Sequence, residues 1–239
     1  MRMPSDGIDV ITRIENDQNN FYNVVLPPGG AEAIDGADLV YLEKEGLTLT
    51  QLLAAWLNHL GLADDVEANS DDYGKVKLRV RIAGDKGWSP LEHVGTGVSV
   101  VLPILYACIT SKEGDTLIIE EPEAHLHPQS QEAIADVLAA YASAKRQIFV
   151  ETHSELVVNR FRVLAASGHL SKVDNGARVL MVKKEIPDDT GWQQTTYTTN
   201  LIRDDGSFDG GWIDEFLGVG AKQYEALLRH SMGVPSAEE

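Results

Sequence analysis

Two short apolar runs, Thr116 to Ile119 and Gln147 to Val150, bracket a single helix-length segment, Gln129 to Ala144. Gly114-Asp115 and Pro122 punctuate the first run, and Ile134, Val137, Leu138 and Tyr141 recur at helical spacing between the two. Pro128 suits the first position of that helix, where its missing N–H costs nothing. Thr152-His153-Ser154-Glu155 reads as a capping box with Thr152 as cap, opening a second helix to about Ala166 that stops near Gly168. A third run, Arg178 to Val182, follows. Strand, helix, strand, helix, strand at these lengths predicts an α/β fold whose core is a parallel sheet with right-handed crossovers. The first run ends in Glu120 and Glu121 and the second in Glu151-Thr152-His153, so Glu120, Glu121 and His153 fall at the carboxyl edge of the sheet, where such sheets bind ligands.

The flanking chain reads as support. Residues 1–36 show little periodicity and carry Asn19-Asn20 and Pro27-Pro28-Gly29-Gly30, so they read as an irregular segment. Leu39 to Leu42 fits a short strand. Thr48 to Leu60 is helical in pattern, with Leu52, Leu53, Trp56, Leu57 and Leu60 on one stripe, Thr48 or Thr50 as cap and Gly61 as stop. Asp65 to Ala68 and Lys75 to Ile82 form a predicted hairpin about the turn-rich 70–74. Gly95-Thr96-Gly97 and Ser99 lead into the apolar stretch Val100 to Ile109. Pro103 is tolerated there only if the helix has just begun. A glycine loop feeding a helix start suits an anion, although an ordinary Ser-capped turn has the same pattern. Residues 186–239 are less regular, with turns at Asp204-Asp205-Gly206 and Gly210-Gly211, apolar cover from Phe208, Trp212, Ile213, Phe216 and Leu217, and a short helix at Lys222 to Met232.

Charge narrows the function classes. With 37 acidic against 20 basic residues the net charge is −17, which repels phosphate backbones and disfavours direct nucleic-acid binding. The basic positions Lys75, Lys77, Arg79 and Arg81 alternate with apolar residues and read as the solvated face of a strand. No run is long and apolar enough to span a bilayer, and no charged-then-apolar leader is evident. The lone Cys108 forms no internal disulfide, which fits a cytoplasmic protein.

Carboxylates at the end of buried strands are costly unless a cation or hydrogen bonds compensate them. Successive residues on a strand point to opposite sides, so Glu120 and Glu121 are expected to do different jobs. Glu120 suits a hard divalent cation and Glu121 suits the polarising of a water. His153, one strand away, suits a phosphate or that water, an outline of phosphoryl transfer. A carboxylate pair that merely caps backbone N–H groups at a strand-to-loop turn would carry the same sequence.

LIIEEPEAHLHP followed by IFVETHSE resembles the Walker B, D-loop and switch-histidine segments of ABC-type ATPases. It is more closely similar to bacterial AAA-type ATPases of the overcoming-lysogenization-defect and Rad50/SMC-related groups. HVGTGVSVVLPIL resembles the signature region of a subset carrying the C-terminal DUF3696 region, and DDGSFDGGWIDEF is a looser match to that subset's ending. The resemblance spans roughly Trp88 to Leu217. It implies the C-terminal lobe of a P-loop NTPase-like sheet with flanking helices and a small β-hairpin region. It places Mg²⁺ on Glu120, the catalytic glutamate at Glu121 and the γ-phosphate-sensing histidine at His153. Gly95, Gly97 and Ser99 fall in the signature loop, which contacts ATP across a subunit interface. His125, Leu126 and His127 fall in the D-loop, with His127 counted among the nucleotide contacts. Glu120 replaces the usual aspartate and is one methylene longer.

One part is missing. No G-x-x-x-x-G-K-[ST] occurs in these 239 residues, so the main phosphate cradle is not here. The expectation is half of a split ATPase that binds ATP and Mg²⁺ only with a Walker A-bearing partner, in a homo- or hetero-oligomer, with phage defence as the implied setting. The chain divides accordingly into 1–36, a 37–87 lead-in of helix and hairpin, an 88–185 ATPase lobe and a 186–239 DUF3696-like segment. Two other readings compete: a non-catalytic interaction module on a degenerate ATPase fold, and a metal-dependent hydrolase drawing on Glu120, Glu121, Glu123, His125, His127 and His153.

Overall fold

The computed structural model describes residues 10–25, 41–70, 76–82, 84–170, 176–185 and 191–210, together with 218, 223 and 228. In chain order the elements are α1 (Val10–Asp17), β1 (Phe21–Val25), β2 (Tyr41–Thr48), α2 (Leu49–His59), β3 (Asp65–Ser70), β4 (Val76–Arg81), β5 (Ser89–Pro90), a 3-10 turn (Leu91–His93), α3 (Thr96–Thr110), β6 (Thr116–Glu120), α4 (Pro128–Ser143), β7 (Gln147–Glu151), α5 (Glu155–Ala166), β8 (Arg178–Glu185) and β9 (Gln194–Leu201).

The centre follows the expected pattern. β6 and β7 pair in parallel, Thr116 with Gln147 through Glu120 with Glu151, and α4 is the crossover between them. Leu117 and Ile119 point into the core from β6, where Leu105 of α3 and Ile134, Leu138 and Tyr141 of α4 are fully buried or nearly so. The alternate residues Ile118 and Phe149 lie directly across from each other and remain 63% and 52% exposed, so among the described residues this parallel pair is covered on one face only.

The lead-in elements share the same core. Thr48 caps α2 in a reciprocal box, its hydroxyl accepting from Gln51 N while Gln51 Oε1 accepts from Thr48 N. The predicted stripe Leu52, Leu53, Trp56, Leu57 and Leu60 is buried against the same cluster as α3 and α4. β3 and β4 form the predicted antiparallel hairpin, with Val66, Ala68, Leu78 and Val80 inward. On the other face Arg79 pairs with Glu67 at 3.1 Å and Arg81 with Asp65 at 3.2 Å, a half-exposed surface of cross-strand ion pairs. Lys75 lies outside the described residues.

Four expectations need correction. Residues 10–25 are not irregular: α1 buries Ile14, and β1 pairs with β2. Helix α3 starts at Thr96 instead of Ser99, which puts Pro103 well inside it. The carbonyl that Pro103 leaves unpaired one turn back belongs to Ser99, an exposed residue, so the defect lies away from the core. Ser154, not Thr152, caps α5, its hydroxyl accepting from Val157 N at 3.3 Å. Finally, β8 does not extend the parallel sheet. It forms an eight-residue antiparallel hairpin with β9, in a region read as less regular. A partner a few residues along the chain closes a short loop at low entropic cost, and an apolar run does not reveal which partner it takes. Ile202 and Phe208 pack beyond β9 onto Leu164 and Ala165 of α5. Trp212, Ile213, Phe216 and Leu217 lie outside the described residues, and within the predicted C-terminal helix only Gln223 and Leu228 are described, both helical.

Candidate functional site

The candidate site is built at the carboxyl ends of β6 and β7. Register places Glu120 beside Glu151, and Glu121 N donates to Glu151 O at 2.8 Å, the last backbone bond across the pair. Glu121 itself adopts φ 46, a left-handed conformation unusual for a side-chain-bearing residue. The pleat therefore ends at Glu120, and the expectation that the two glutamates project to opposite sides of a strand does not hold. Both are exposed, and with Glu151, Val100 and Ala124 they line an open depression of about 460 Å³. Like charges this close reinforce one another's field and favour a cation.

His153 reaches the same place from the turn after β7. Its Nε2 lies 3.9 Å from Glu121 Oε1, with the two side chains 75% and 58% exposed. The predicted pair is thus brought together, and it is open to solvent. Glu151 is the residue that pattern reading left out of the site. The signal for it was available, because a parallel register that ends one run at Glu120 must set the last residue of the next run beside it.

The two glycines of the predicted anion loop differ in their surroundings. Gly95 is the N-cap of α3 without a side-chain cap bond, and Gly95, Thr96 and Ser99 are exposed. The first-turn N–H groups of α3, the positive end of its dipole, therefore have no side-chain acceptor from the cap. Gly97 is buried. A Cβ there would stand 3.2 Å from Leu126 Cδ2 and 3.4 Å from the carbonyl oxygen of His125, so its lack of a side chain lets α3 pack against the 121–127 loop. That contact joins the two segments, and Val100, one turn into α3, lines the acidic depression.

The histidines of the loop do not complete a metal cage. His125 has φ 62 and is exposed, and His127 is the N-cap of α4 without a side-chain cap bond; neither lines the depression. Glu123 is 9% exposed and turned toward the next strand, where Oε1 accepts from Thr152 Oγ1 at 2.7 Å and from His153 N at 2.8 Å. Among the described residues no group of three His, Cys, Asp or Glu side chains is arranged to hold a metal ion. The six-ligand hydrolase set therefore does not converge. A cation that keeps several waters and takes only one or two carboxylates, as Mg²⁺ does alongside substrate phosphates, needs no such group, and Glu120, Glu121 and Glu151 offer exposed carboxylates at this edge.

A search of curated proteins found no match. Among solved structures, an SMC ATPase studied for ATP-driven dimerization and DNA-stimulated activation is similar over 63% of this chain and 83% of its own, at 14% identity and a TM-score of 0.43. The Smc head domain of Pyrococcus furiosus with an extended coiled coil, bound to the C-terminal domain of ScpA, is similar over 63% of this chain and 34% of its own, at 12% identity and a TM-score of 0.42. The Smc head domain of Pyrococcus yayanosii with a coiled coil and joint is similar over 62% of this chain and 26% of its own, at 13% identity and a TM-score of 0.42. The chain thus spans about a third or less of the two Pyrococcus chains. A family profile described as "AAA domain, putative AbiEii toxin, Type IV TA system" matches residues 6–159, which is more than half of the sequence, and the chain belongs to that AAA domain family.

Proposed function

We propose that this chain contributes one side of an ATP-hydrolysing site, with the phosphate-binding loop supplied from outside these residues. The observation that carries the reading is the meeting of Glu121 and His153 at the carboxyl ends of two parallel strands, beside Glu120 and Glu151. In this reading Glu120 holds Mg²⁺, which would neutralise phosphate charge when bound. Glu121 accepts the proton of an attacking water, and His153 contacts the transferred phosphoryl group. The N-terminus of α3, with Gly95 and Ser99 exposed, faces a phosphate across an interface. Gly97 acts through packing, and His127 extends the contact surface. The openness of Glu121 and His153 supports a site that closes only when a second face arrives.

In this proposal the face carrying Gly95, Ser99 and the acidic strand ends meets a Walker A-bearing face in a homo- or hetero-oligomer, and the DUF3696-like reading of residues 186–239 belongs to the same proposal. The toxin description attached to the family supports a setting in bacterial defence, where the ATPase cycle would drive a conformational change. The decisive experiment measures ATP hydrolysis by this chain with and without a P-loop-bearing partner, for wild type and Glu121→Gln. Activity only in the mixture, lost in Glu121→Gln, is expected. Full activity of the isolated chain would overturn the completed-site reading, and a fully active Glu121→Gln mixture would overturn the role of Glu121. If Glu121→Gln retains the biological effect under phage challenge, the non-catalytic module is correct instead.

A further inference from the structure

Glu123 is buried two residues beyond Glu121, and its carboxylate bonds the backbone of His153 rather than the imidazole. The β6–β7 ladder ends at Glu120 and Glu151, so the Thr152–His153 backbone has no strand partner to hold it. Glu123 Oε1 supplies that partner, accepting from His153 N at 2.8 Å and from Thr152 Oγ1 at 2.7 Å. The anchor continues. Thr152 Oγ1 accepts from Ser154 N at 3.0 Å, Ser154 Oγ donates to Gln131 Oε1 at 2.7 Å, and Gln131 Nε2 donates to Leu126 O at 3.0 Å. The ring starts in the 121–127 loop, passes through the cap of α5 and the first turn of α4, and returns to the loop it left.

We propose that Glu123 is a positioning residue that sets the His153 side chain against Glu121. This deepens the hydrolytic reading of that pair and rests on it. The imidazole is 75% exposed and Glu121 58% exposed, so packing does not hold the 3.9 Å approach, and the backbone anchor must. The loop bearing Glu121 has two left-handed residues, Glu121 at φ 46 and His125 at φ 62, and it needs a tie of this kind to keep that shape. Charge-assisted bonds to a buried carboxylate are the strong kind, and sharing one oxygen between a backbone and a side-chain donor fixes direction as well as distance. The other oxygen, Oε2, is buried without a hydrogen-bond partner, so one acceptor atom does all of the holding. Glutamine keeps an equivalent acceptor and alanine does not.

The test compares Glu123→Ala and Glu123→Gln with wild type in two readouts. In amide hydrogen exchange on the whole chain, Glu123→Ala is expected to release the His153 amide at least tenfold while α4 core amides such as Val137 keep their protection, and Glu123→Gln is expected to restore it. In hydrolysis by the P-loop-completed assembly, Glu123→Ala is expected to lower kcat at least tenfold with KM within twofold, and Glu123→Gln to recover it. Unchanged His153 protection in Glu123→Ala overturns the proposal, as does unchanged kcat in an assembly that Glu121→Gln inactivates. If no variant and no wild-type assembly hydrolyses ATP, the catalytic reading fails, and the exchange result still decides whether Glu123 holds the turn. Where Glu123→Ala does not fold, Thr152→Val removes one of the two donors at constant volume. It should loosen the His153 amide by a smaller factor, and unaltered exchange there counts against the anchor.

Discussion

Asp136 offers the sharpest test of how the core is held beneath the site. Its side chain is 4% exposed on α4 and accepts from Arg160 Nε at 2.7 Å, Arg160 Nη2 at 3.2 Å and His59 Nε2 at 2.9 Å. One carboxylate therefore joins α2, α4 and α5. Asp136→Ala removes the acceptor and leaves the Arg160 guanidinium, 25% exposed, against the same wall. Breaking a buried pair by deleting one partner costs about 3–5 kcal/mol because the surviving charge remains desolvated. The partial exposure of Arg160, and of His59 at 20%, lets water recover some of that, so the expected loss is near the lower end, about 3 kcal/mol. For a chain of this size that corresponds to a melting temperature lower by roughly 6–12 °C. Urea denaturation and thermal melting of Asp136→Ala, Arg160→Ala and the double variant measure it. The double variant should lose clearly less than the sum of the singles, because the second deletion removes the stranded group. Additive losses, or an Asp136→Ala protein as stable as wild type, would refute the reasoning.

Three further outcomes follow from particular residues. Lys145 occupies the left-handed position, φ 62, of a Schellman turn in which Arg146 N bonds Tyr141 O and Lys145 N bonds Ala142 O; Lys145→Gly should raise stability by about 0.5–1 kcal/mol in urea titrations, since its Glu113 contact is solvent-exposed. Gly206 has φ +77, and a Cβ there would stand 2.8 Å from the Arg162 carbonyl, so Gly206→Ala should cost about 2–4 kcal/mol in the same assay by pushing the 204–208 turn off α5. Burial pushes the Cys108 thiol from 9.0 up to about 12, with the Arg146 charge opposing. The folded state thus keeps a proton that the unfolded chain releases, and stability falls as pH rises above about 9. Wild type should lose about 1 kcal/mol more than Cys108→Ala between pH 9 and 10, and parallel pH dependences would contradict the assignment.

Much of the site was legible because its residues sit where short-range rules operate. The crossover from β6 through α4 to β7 follows from apolar run lengths, helical spacing and Pro128, and parallel register then dictates that Glu120, Glu121 and His153 share an edge. What sequence could not show was set by backbone angles and by partners distant in the chain. Glu121 and His125 adopt left-handed conformations that carry no residue-type signal of the kind glycine gives. Thr152 and Ser154 are both capping residues, and which of them caps α5 was decided by Glu123, 29 positions before Thr152, which takes the Thr152 hydroxyl. Gly97 appeared as an anion-loop glycine because sequence does not show Leu126 lying over it.

The one-sided parallel pair shows the same limit at the scale of the fold. Thr116 to Ile119 and Gln147 to Val150 read as buried strands of a parallel sheet, and such sheets are nearly always covered on both faces. The structure buries Leu117 and Ile119 and leaves Ile118 and Phe149 in solvent. An apolar run records that a strand is to be covered and is silent about what covers it. Here the inner cover, α3 and α4, lies nearby in sequence and is present. On the opposite face the described residues leave Ile118 and Phe149 open, on the same two strands whose carboxyl ends carry Glu120, Glu121 and Glu151. An element that completed the site by adding to this sheet would therefore also be expected to reduce the exposure of Ile118 and Phe149.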